Sequence, residues 1–406
     1  MSTALEQLPL AESRARVRRC QQRLMERLPE VAGLLVTSQL NIYYFTGTLG
    51  TGLLWLPVEG EPVLLVRKGL ERAVQESPLA AIRRFHSFRE IAGLCAEAGS
   101  PLPTAGSVGV EAAQMTLAQA RMLEARVPGL AFVPADAVIA RVRSVKSAWE
   151  LDKLRIAGER HARCLTEILP ARIRPGMTER EIALQALNCF YEAGHGGMVR
   201  LSGGGVSAGY ASVGESGLYA TNFDGPLGAR GLHPATPYLG DAGTVWKKGR
   251  ILTVDMGFVL EGYNTDKTQT YWAGPAPVPD EVRRAHDCCV QIQQRAAAML
   301  RPGELPSRIW AEAQDWAAKA GYADNFMGWG PERVRFLGHG IGLNMDEFPP
   351  LAKGFDEPLE AGMVIALEPK MGLPGIGMPG VENTFEITEQ GARCLTGSRF
   401  ELIVVD

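Results

Sequence analysis

Residues 11–28 are rich in Arg, Glu and Gln, with apolar residues spaced between them, which predicts an amphipathic helix. Short apolar runs of strand type follow at 33–37, 42–45, 52–56 and 62–66, with Glu59-Gly60-Glu61 as a turn between the last two. Helical patterns at 69–75, 88–97 and 117–125, interleaved with strand-like pieces such as 107–110, predict a small α/β domain. Ser147 followed three residues later by Glu150 is a capping-box pattern, and a helical pattern then runs to about residue 169. Thr178 is placed as the N-cap of another helix. Residues 194–243 are Gly-rich with little helical pattern. Strand-like runs recur at 251–255, 263–272, 363–368 and 384–387, and residues 282–300 and 307–320 read as helices. The domain join is expected just before the Ser147 helix, giving domains of 1–145 and 146–406, the second a mixture of α and β.

Composition narrows the classes open to this chain. Its 406 residues correspond to two or three domains at about 150 residues each. An apolar fraction of 46% allows a large core and excludes global disorder. A net charge of −3 argues against nucleic-acid partners and against an anionic membrane surface. No apolar run approaches the roughly 20 residues of a membrane span. The N-terminus has no basic patch followed by an apolar stretch, so no secretory signal is expected. Cys20, Cys95, Cys164, Cys189, Cys288, Cys289 and Cys394 are scattered without a Cys-x-x-Cys, which speaks against a zinc ribbon or disulfide scaffold and for a reducing cytoplasm. The glycines, 46 in all, concentrate beyond residue 190, where many tight turns are expected.

The chemistry-bearing residues lie in the second half. Two strand-like runs meet near Leu260-Glu261-Gly262. A fold point between Leu260 and Glu261 would set Asp255 directly opposite Asp266, with their Cβ atoms about 5 Å apart. Like charges so placed destabilise a sheet, and a cation between them reverses the sign. The alternative is that one Asp serves a turn or cap and the pairing is accidental. His339 stands in Gly338-His339-Gly340-Ile341-Gly342, a backbone free to approach a ligand closely, although a lone His in such a loop can equally be structural. Glu368 ends an apolar strand at Glu368-Pro369, and Glu382 follows after a Gly- and Pro-bearing stretch that lets the chain double back. Two Asp, one His and two Glu at strand ends and Gly loops form the ligand mix of a two-metal hydrolase site.

The order and spacing of these five residues resemble the metallopeptidase family of methionine aminopeptidase, aminopeptidase P and prolidase, the pita-bread or creatinase fold. The segment from Arg143 to Ser147 followed by Glu150 looks like that family's join between domains, so the resemblance covers essentially the whole chain. It implies a creatinase-like α/β N-terminal domain and an α+β pita-bread catalytic domain. By resemblance Asp255 would chelate one ion, Asp266 and Glu382 would bridge two, and His339 and Glu368 would each bind one. Two divalent ions are implied, manganese first, with cobalt, zinc or iron as alternatives. A water or hydroxide between them would attack an amide carbonyl, with Glu368 as general base and proton shuttle. The implied substrate is an Xaa-Pro dipeptide or another small peptide or amide, and the implied assembly is a homodimer.

Three positions depart from that pattern. The place of the second His that usually follows the ligand His holds Asp346, followed by Glu347. The His usual ahead of the first ligand Asp is absent, and the nearest is His233. The Arg usual just before the last Glu is Gly380. Each missing His could have donated to a substrate carbonyl, and one such donor is worth about 3 kcal/mol of transition-state stabilisation. Replacements are sought in the Gly-rich insert, where His195, Arg200, Tyr210, Asp224, Arg230 and His233 could line a pocket, with Arg200 and His195 first; the alternative is a surface loop or dimer contact. His86, His161 and His286 read as surface or helix residues. Two other functions stay open: the same site acting on a small non-peptide compound, as in creatinase-, ectoine hydrolase- or sulfonium lyase-like members, and a non-catalytic binding protein.

Overall fold

The computed structural model describes residues 6–201, 206–207, 209–275 and 277–406. The chain forms two compact units, Met1–Arg143 and Ser144–Asp406.

The first unit opens with helix α1 (Leu10–Arg27), strand β1 (Val31–Val36), helix α2 (Gln39–Thr46), and strands β2 (Thr51–Pro57) and β3 (Val63–Lys68). Helix α3 (Leu70–Glu76), β4 (Ile82–Arg84), α4 (Ile91–Glu97), β5 (Gly106–Val110), α5 (Leu117–Glu124), β6 (Leu130–Pro134) and α6 (Asp136–Ser144) follow. The six strands form one mixed sheet in the order β4-β3-β2-β1-β5-β6, an α/β architecture as expected. The run Ile42 to Phe45, expected as a strand, is instead the body of α2. Ser38 caps that helix through the Asn41 N–H, and Gly47 ends it in the left-handed region at φ 77°. The buried Glu111 carboxylate accepts from the Thr37 and Ser38 N–H groups, the Ser38 hydroxyl and the Asn41 amide, which anchors the helix start. These contacts outweigh the strand preference of four bulky apolar residues.

The second unit begins with α7 (Ala148–Arg163), α8 (Glu179–Glu192) and strands β7 (Val199–Arg200), β8 (Val206–Ser207) and β9 (Tyr210–Val213). The capping boxes Ser147/Glu150 and Thr178/Glu181 form as the sequence predicts. Then come β10 (Ile251–Leu260), β11 (Tyr263–Ala273), α9 (Asp280–Met299), α10 (Pro306–Lys319), β12 (Gly338–Gly340), β13 (Val364–Leu367), β14 (Asn383–Thr388), β15 (Gly391–Cys394) and β16 (Ile403–Val405). Two four-stranded sheets result, β16-β11-β10-β9 and β12-β13-β14-β15.

Strand alternation assigns each sheet a core face and a site face. Leu252, Val254, Met256 and Phe258 of β10 join Ala157, Leu165 and Phe190 in one apolar core. Ile365, Leu367, Phe385 and Ile387 join Cys289, Ile292 and Ile309 of α9 and α10 in another. The alternate positions carry polar or small residues: Thr253, Asp255 and Gly257 on β10, their partners Thr270, Thr268 and Asp266 on β11, and the row His339, Ala366, Thr384 across β12, β13 and β14. The Thr384 hydroxyl joins the two sheets, accepting from the Asp266 N–H at 2.8 Å and donating to its carbonyl at 2.9 Å.

Candidate metal centre

Two residues close the β10–β11 hairpin, Glu261 at φ 50° and Gly262 at φ 89°. Positive φ at both central positions is the primed turn that matches strand twist. It pairs Leu260 with Tyr263, so Asp255 faces Thr268 and Asp266 faces Gly257. The expected direct pairing of Asp255 with Asp266 is therefore corrected by one register step. The two carboxylates are diagonal neighbours on one face, a separation of about 7–8 Å between backbones rather than about 5 Å. Gly257 leaves the space beside Asp266 to Met345, whose Cε would lie 2.0 Å from a Cβ at 257.

His339 lies on β12, where a Cβ at Gly338 would meet the Ala366 carbonyl at 1.9 Å and one at Gly340 the Phe348 carbonyl at 2.3 Å. The flanking glycines thus allow β12 to press against its neighbours. The His339 Nδ1 is 3.0 Å from the Gly340 carbonyl oxygen, which leaves Nε2 for the centre. Glu368 follows the last residue of β13 and Glu382 precedes the first of β14. Ligand atoms of Asp266, His339 and Glu382 all lie within 4.8 Å of one another, and all three residues are buried. Carboxylates with one imidazole suit a divalent ion.

Asp255 and Glu368 meet a different partner. The Lys370 Nζ is 3.3 Å from Asp255 Oδ2, 3.2 Å from Glu368 Oε2 and 2.9 Å from Glu382 Oε2. The Lys370 side chain is 0% exposed. The residues thus fit one divalent ion at Asp266, His339 and Glu382, while an ammonium group holds the other side of the centre.

Supporting groups fix these carboxylates. The Thr268 hydroxyl, opposite Asp255, donates to Glu382 Oε2 at 2.9 Å. The buried Lys267 ammonium donates to Asn383 Oδ1 at 2.7 Å. Burial pushes Asp255 up to about 6, against the pull of Lys370. Burial and the Glu382 charge push Glu368 up to about 8, and the same causes, with Asp255, hold Asp266 well above the carboxylate range. Burial alone would lower His339, but Asp346, Glu368 and Glu382 outweigh it and raise it. Burial likewise works against the Lys370 ammonium, and the carboxylates Asp255, Glu382 and Glu368 reverse the sign and hold it well above the usual lysine range.

The remaining expected residues scatter. Asp346 is at the centre's edge, its Oδ1 3.7 Å from His339 Nε2. Glu368 Oε1 is equally 3.7 Å from that nitrogen. His195 lies outside the cavity lining, packed against Phe190, Tyr191 and Phe258, and its Nδ1 accepts from the Val259 N–H at 3.0 Å. Burial lowers its pKa to about 4. The Arg200 carbonyl accepts from the Met345 N–H, and its neighbours Val199 and Leu201 line the cavity. His233 is exposed in a turn, where its Nδ1 accepts from the Ala235 N–H. Arg230 stacks over Tyr219, and Asp224 lines a separate cavity with residues 331–336. Of the six polar candidates in the insert, all among the described residues, Tyr210 reaches the centre, paired with Asp255 across β9 and β10. His161 and His286 are helical as expected but buried rather than at the surface. Lys370, Thr268 and Thr384 were not legible as site residues by type, yet Thr268 sits two positions from Asp266 on β11 and Lys370 two positions from Glu368 in the ladder that continues past β13, which places each on the ligand's side.

Residues 152–389 match Metallopeptidase family M24, and residues 16–145 match the Creatinase/Prolidase N-terminal domain. The chain belongs to metallopeptidase family M24. It is 29% identical over 390 residues to the probable dipeptidase PepE of Mycobacterium tuberculosis, covering 92% of each chain. It is 26% identical over 373 residues to an Xaa-Pro dipeptidase of Pyrococcus furiosus, covering 91% of this chain and 94% of that one. Among solved structures, dipeptidase PepE of Mycobacterium ulcerans superposes with a TM-score of 0.79 at 25% identity, over 98% of this chain and 100% of that one. As an M24 protein the chain is a hydrolase of metallopeptidase type, and the creatinase-like and pita-bread domains expected from the sequence are present. Among the described residues, no helix is long and apolar enough to cross a membrane.

Proposed function

We propose that this M24 chain cleaves a small peptide or amide, with Xaa-Pro dipeptides the first candidates. The observation that carries this reading is the convergence of Asp266, His339 and Glu382 donor atoms within 4.8 Å of one another, in a buried site with an adjoining cavity. A divalent ion held there would supply Lewis acidity toward a carbonyl and toward water. Manganese is our first choice for this oxygen-rich donor set, and cobalt, zinc and iron are the alternatives.

The chain's own groups supply the rest. Glu368, raised to about 8, is placed to take up and return a proton at neutral pH, beside both His339 and Lys370. Asp346, beside His339 Nε2, occupies the edge where a substrate group would approach. Val199, Leu201, Tyr210, Phe223, Met256 and Met345 give the cavity an apolar wall that orients a nonpolar side chain and excludes water. His195, Arg200 and His233 hold no such place, and we give them supporting roles in the insert. Seven free cysteines support a cytoplasmic protein, and the family resemblance supports a homodimer.

A panel of Xaa-Pro dipeptides, other dipeptides and small amides, assayed on manganese-loaded protein, tests the reading. Cleavage of an Xaa-Pro dipeptide that chelation abolishes is expected. Turnover of no dipeptide and no amide by metal-loaded protein would overturn it. A second reading, a small non-peptide substrate, is favoured by Asp346 beside His339 Nε2, in place of a histidine.

A further inference from the structure

We propose that Lys370 is a built-in cation that takes the place of one of the two metal ions the family resemblance implies, so that the centre binds a single divalent ion at Asp266, His339 and Glu382. The inference rests on the metal-dependent reading above and specifies what that site holds.

Three observations carry it. The first is coordination. An ammonium has three N–H donors, and the Lys370 Nζ has three carboxylates, Asp255, Glu368 and Glu382, at 3.3, 3.2 and 2.9 Å. Asp255 and Glu368, which the resemblance assigns to ions, therefore already share a cationic group of the chain itself.

The second is register. Ala366 pairs with Thr384 on β13 and β14, and Lys370 pairs with Gly380 in the same register beyond the strand ends. Glu368 and Glu382 fall opposite one another between these pairs. Glu368 and Lys370, two positions apart, thus present to the same side. A lysine here is aimed at the centre by the backbone and not by a chance rotamer.

The third is space. A Cβ at Gly380 would sit 2.5 Å from Lys370 Cγ and 2.8 Å from Lys370 Cα. Position 380 is a glycine, and the lysine stem fills the room that a side chain there would take. With its side chain fully buried, Lys370 has no water to retreat into.

Charge agrees with this partition. Asp255, Asp266, Glu368 and Glu382 carry four negative charges when ionised. Lys370 and one divalent ion offset three of them. A second divalent ion on Asp255 and Glu368 would share carboxylates that already bind the ammonium, and two cations so close repel. Asp266 and His339, for which no Lys370 contact is seen, remain for the one ion, with Glu382 reaching both it and the ammonium.

Manganese titration of the stripped 406-residue chain, followed by elemental analysis and calorimetry, tests the proposal. One ion per chain is expected, with the six-line paramagnetic resonance spectrum of an isolated Mn(II). Lys370→Met keeps the stem and removes the charge, and it should bind a second ion at least about tenfold more tightly than the wild-type chain does. Lys370→Arg keeps a charge and should stay at one. Two ions in the wild-type chain, or the multiline spectrum of a coupled pair, would overturn the proposal and leave the hydrolase reading standing. No bound ion at any manganese concentration would overturn both. The wild-type count decides the matter even where a variant fails to fold.

Discussion

Lys370 stands opposite Gly380, and the lysine stem occupies the volume that any side chain at 380 would need. This pair links a backbone ladder to the charge state of the centre. Because β13 and β14 continue in register past their ends, a change at 380 acts on the ammonium directly, not through a distant shift.

Gly380→Ala should destabilise the protein by about 1–3 kcal/mol, the usual cost of overpacking. Part of that cost is contact with the lysine Cγ and part is contact with backbone at Lys370 and Pro369. In a Lys370→Gly background the cost should shrink by at least about 0.5 kcal/mol. Denaturant unfolding of the four proteins of the cycle measures the coupling, and strict additivity would show that the two side-chain positions do not compete.

Thr268→Val removes the hydroxyl that donates to Glu382 Oε2 while keeping the strand shape. Metal affinity should fall about 10–100-fold, as for other groups that orient a ligand. Calorimetric titration with manganese reads this. Unchanged affinity would mean that Lys370 alone positions Glu382.

The pH dependence of stability follows from the raised carboxylates. Asp255 at about 6, Glu368 at about 8 and Asp266 well above its ordinary value all bind protons more tightly when folded than when unfolded. Their contribution is complete below the ordinary carboxylate range near pH ~4 and is lost as pH rises through the folded values. His339, also raised, shifts in the same direction. Metal-free protein should therefore lose thermal stability between about pH 5 and 8. A bound divalent ion replaces those protons, so the rise in Tm on adding manganese should grow across the same window. Thermal melts in chelator and in manganese at several pH values check this; a manganese effect that shrinks toward pH 8 would contradict it.

Asp346→His places an imidazole beside His339 where the chain now has a carboxylate 3.7 Å from Nε2. A donor facing a developing oxyanion is worth about 10²–10³-fold in turnover. Xaa-Pro cleavage should rise in this variant, by about tenfold or more, with KM little changed. No rise in a folded, metal-loaded variant would assign Asp346 to a different substrate chemistry, in line with the small non-peptide reading.

The five candidate ligands were legible from residue type and neighbours, because each chemistry needs a carboxylate or imidazole at a strand end or beside glycine. Helix starts at Ser147 and Thr178 were legible for a similar reason, since a capping box is local. Register was not. Glu261 takes a positive φ that its residue type does not announce, and this moves the hairpin by one step and turns the Asp255–Asp266 pair from direct to diagonal. The helix at Gln39–Thr46 was hidden because its anchor, Glu111, lies about 70 residues away. The role of Lys370 was decided in the same way. Its position two residues after Glu368 is written in the chain, but that carboxylates on β10, just after β13 and just before β14 close around one ammonium follows only when the two sheets meet. Local sequence thus determined which groups are present and which face of a strand they take, while charge neutralisation, a sum over residues far apart in the chain, was decided by the packing that brings them within about 3 Å.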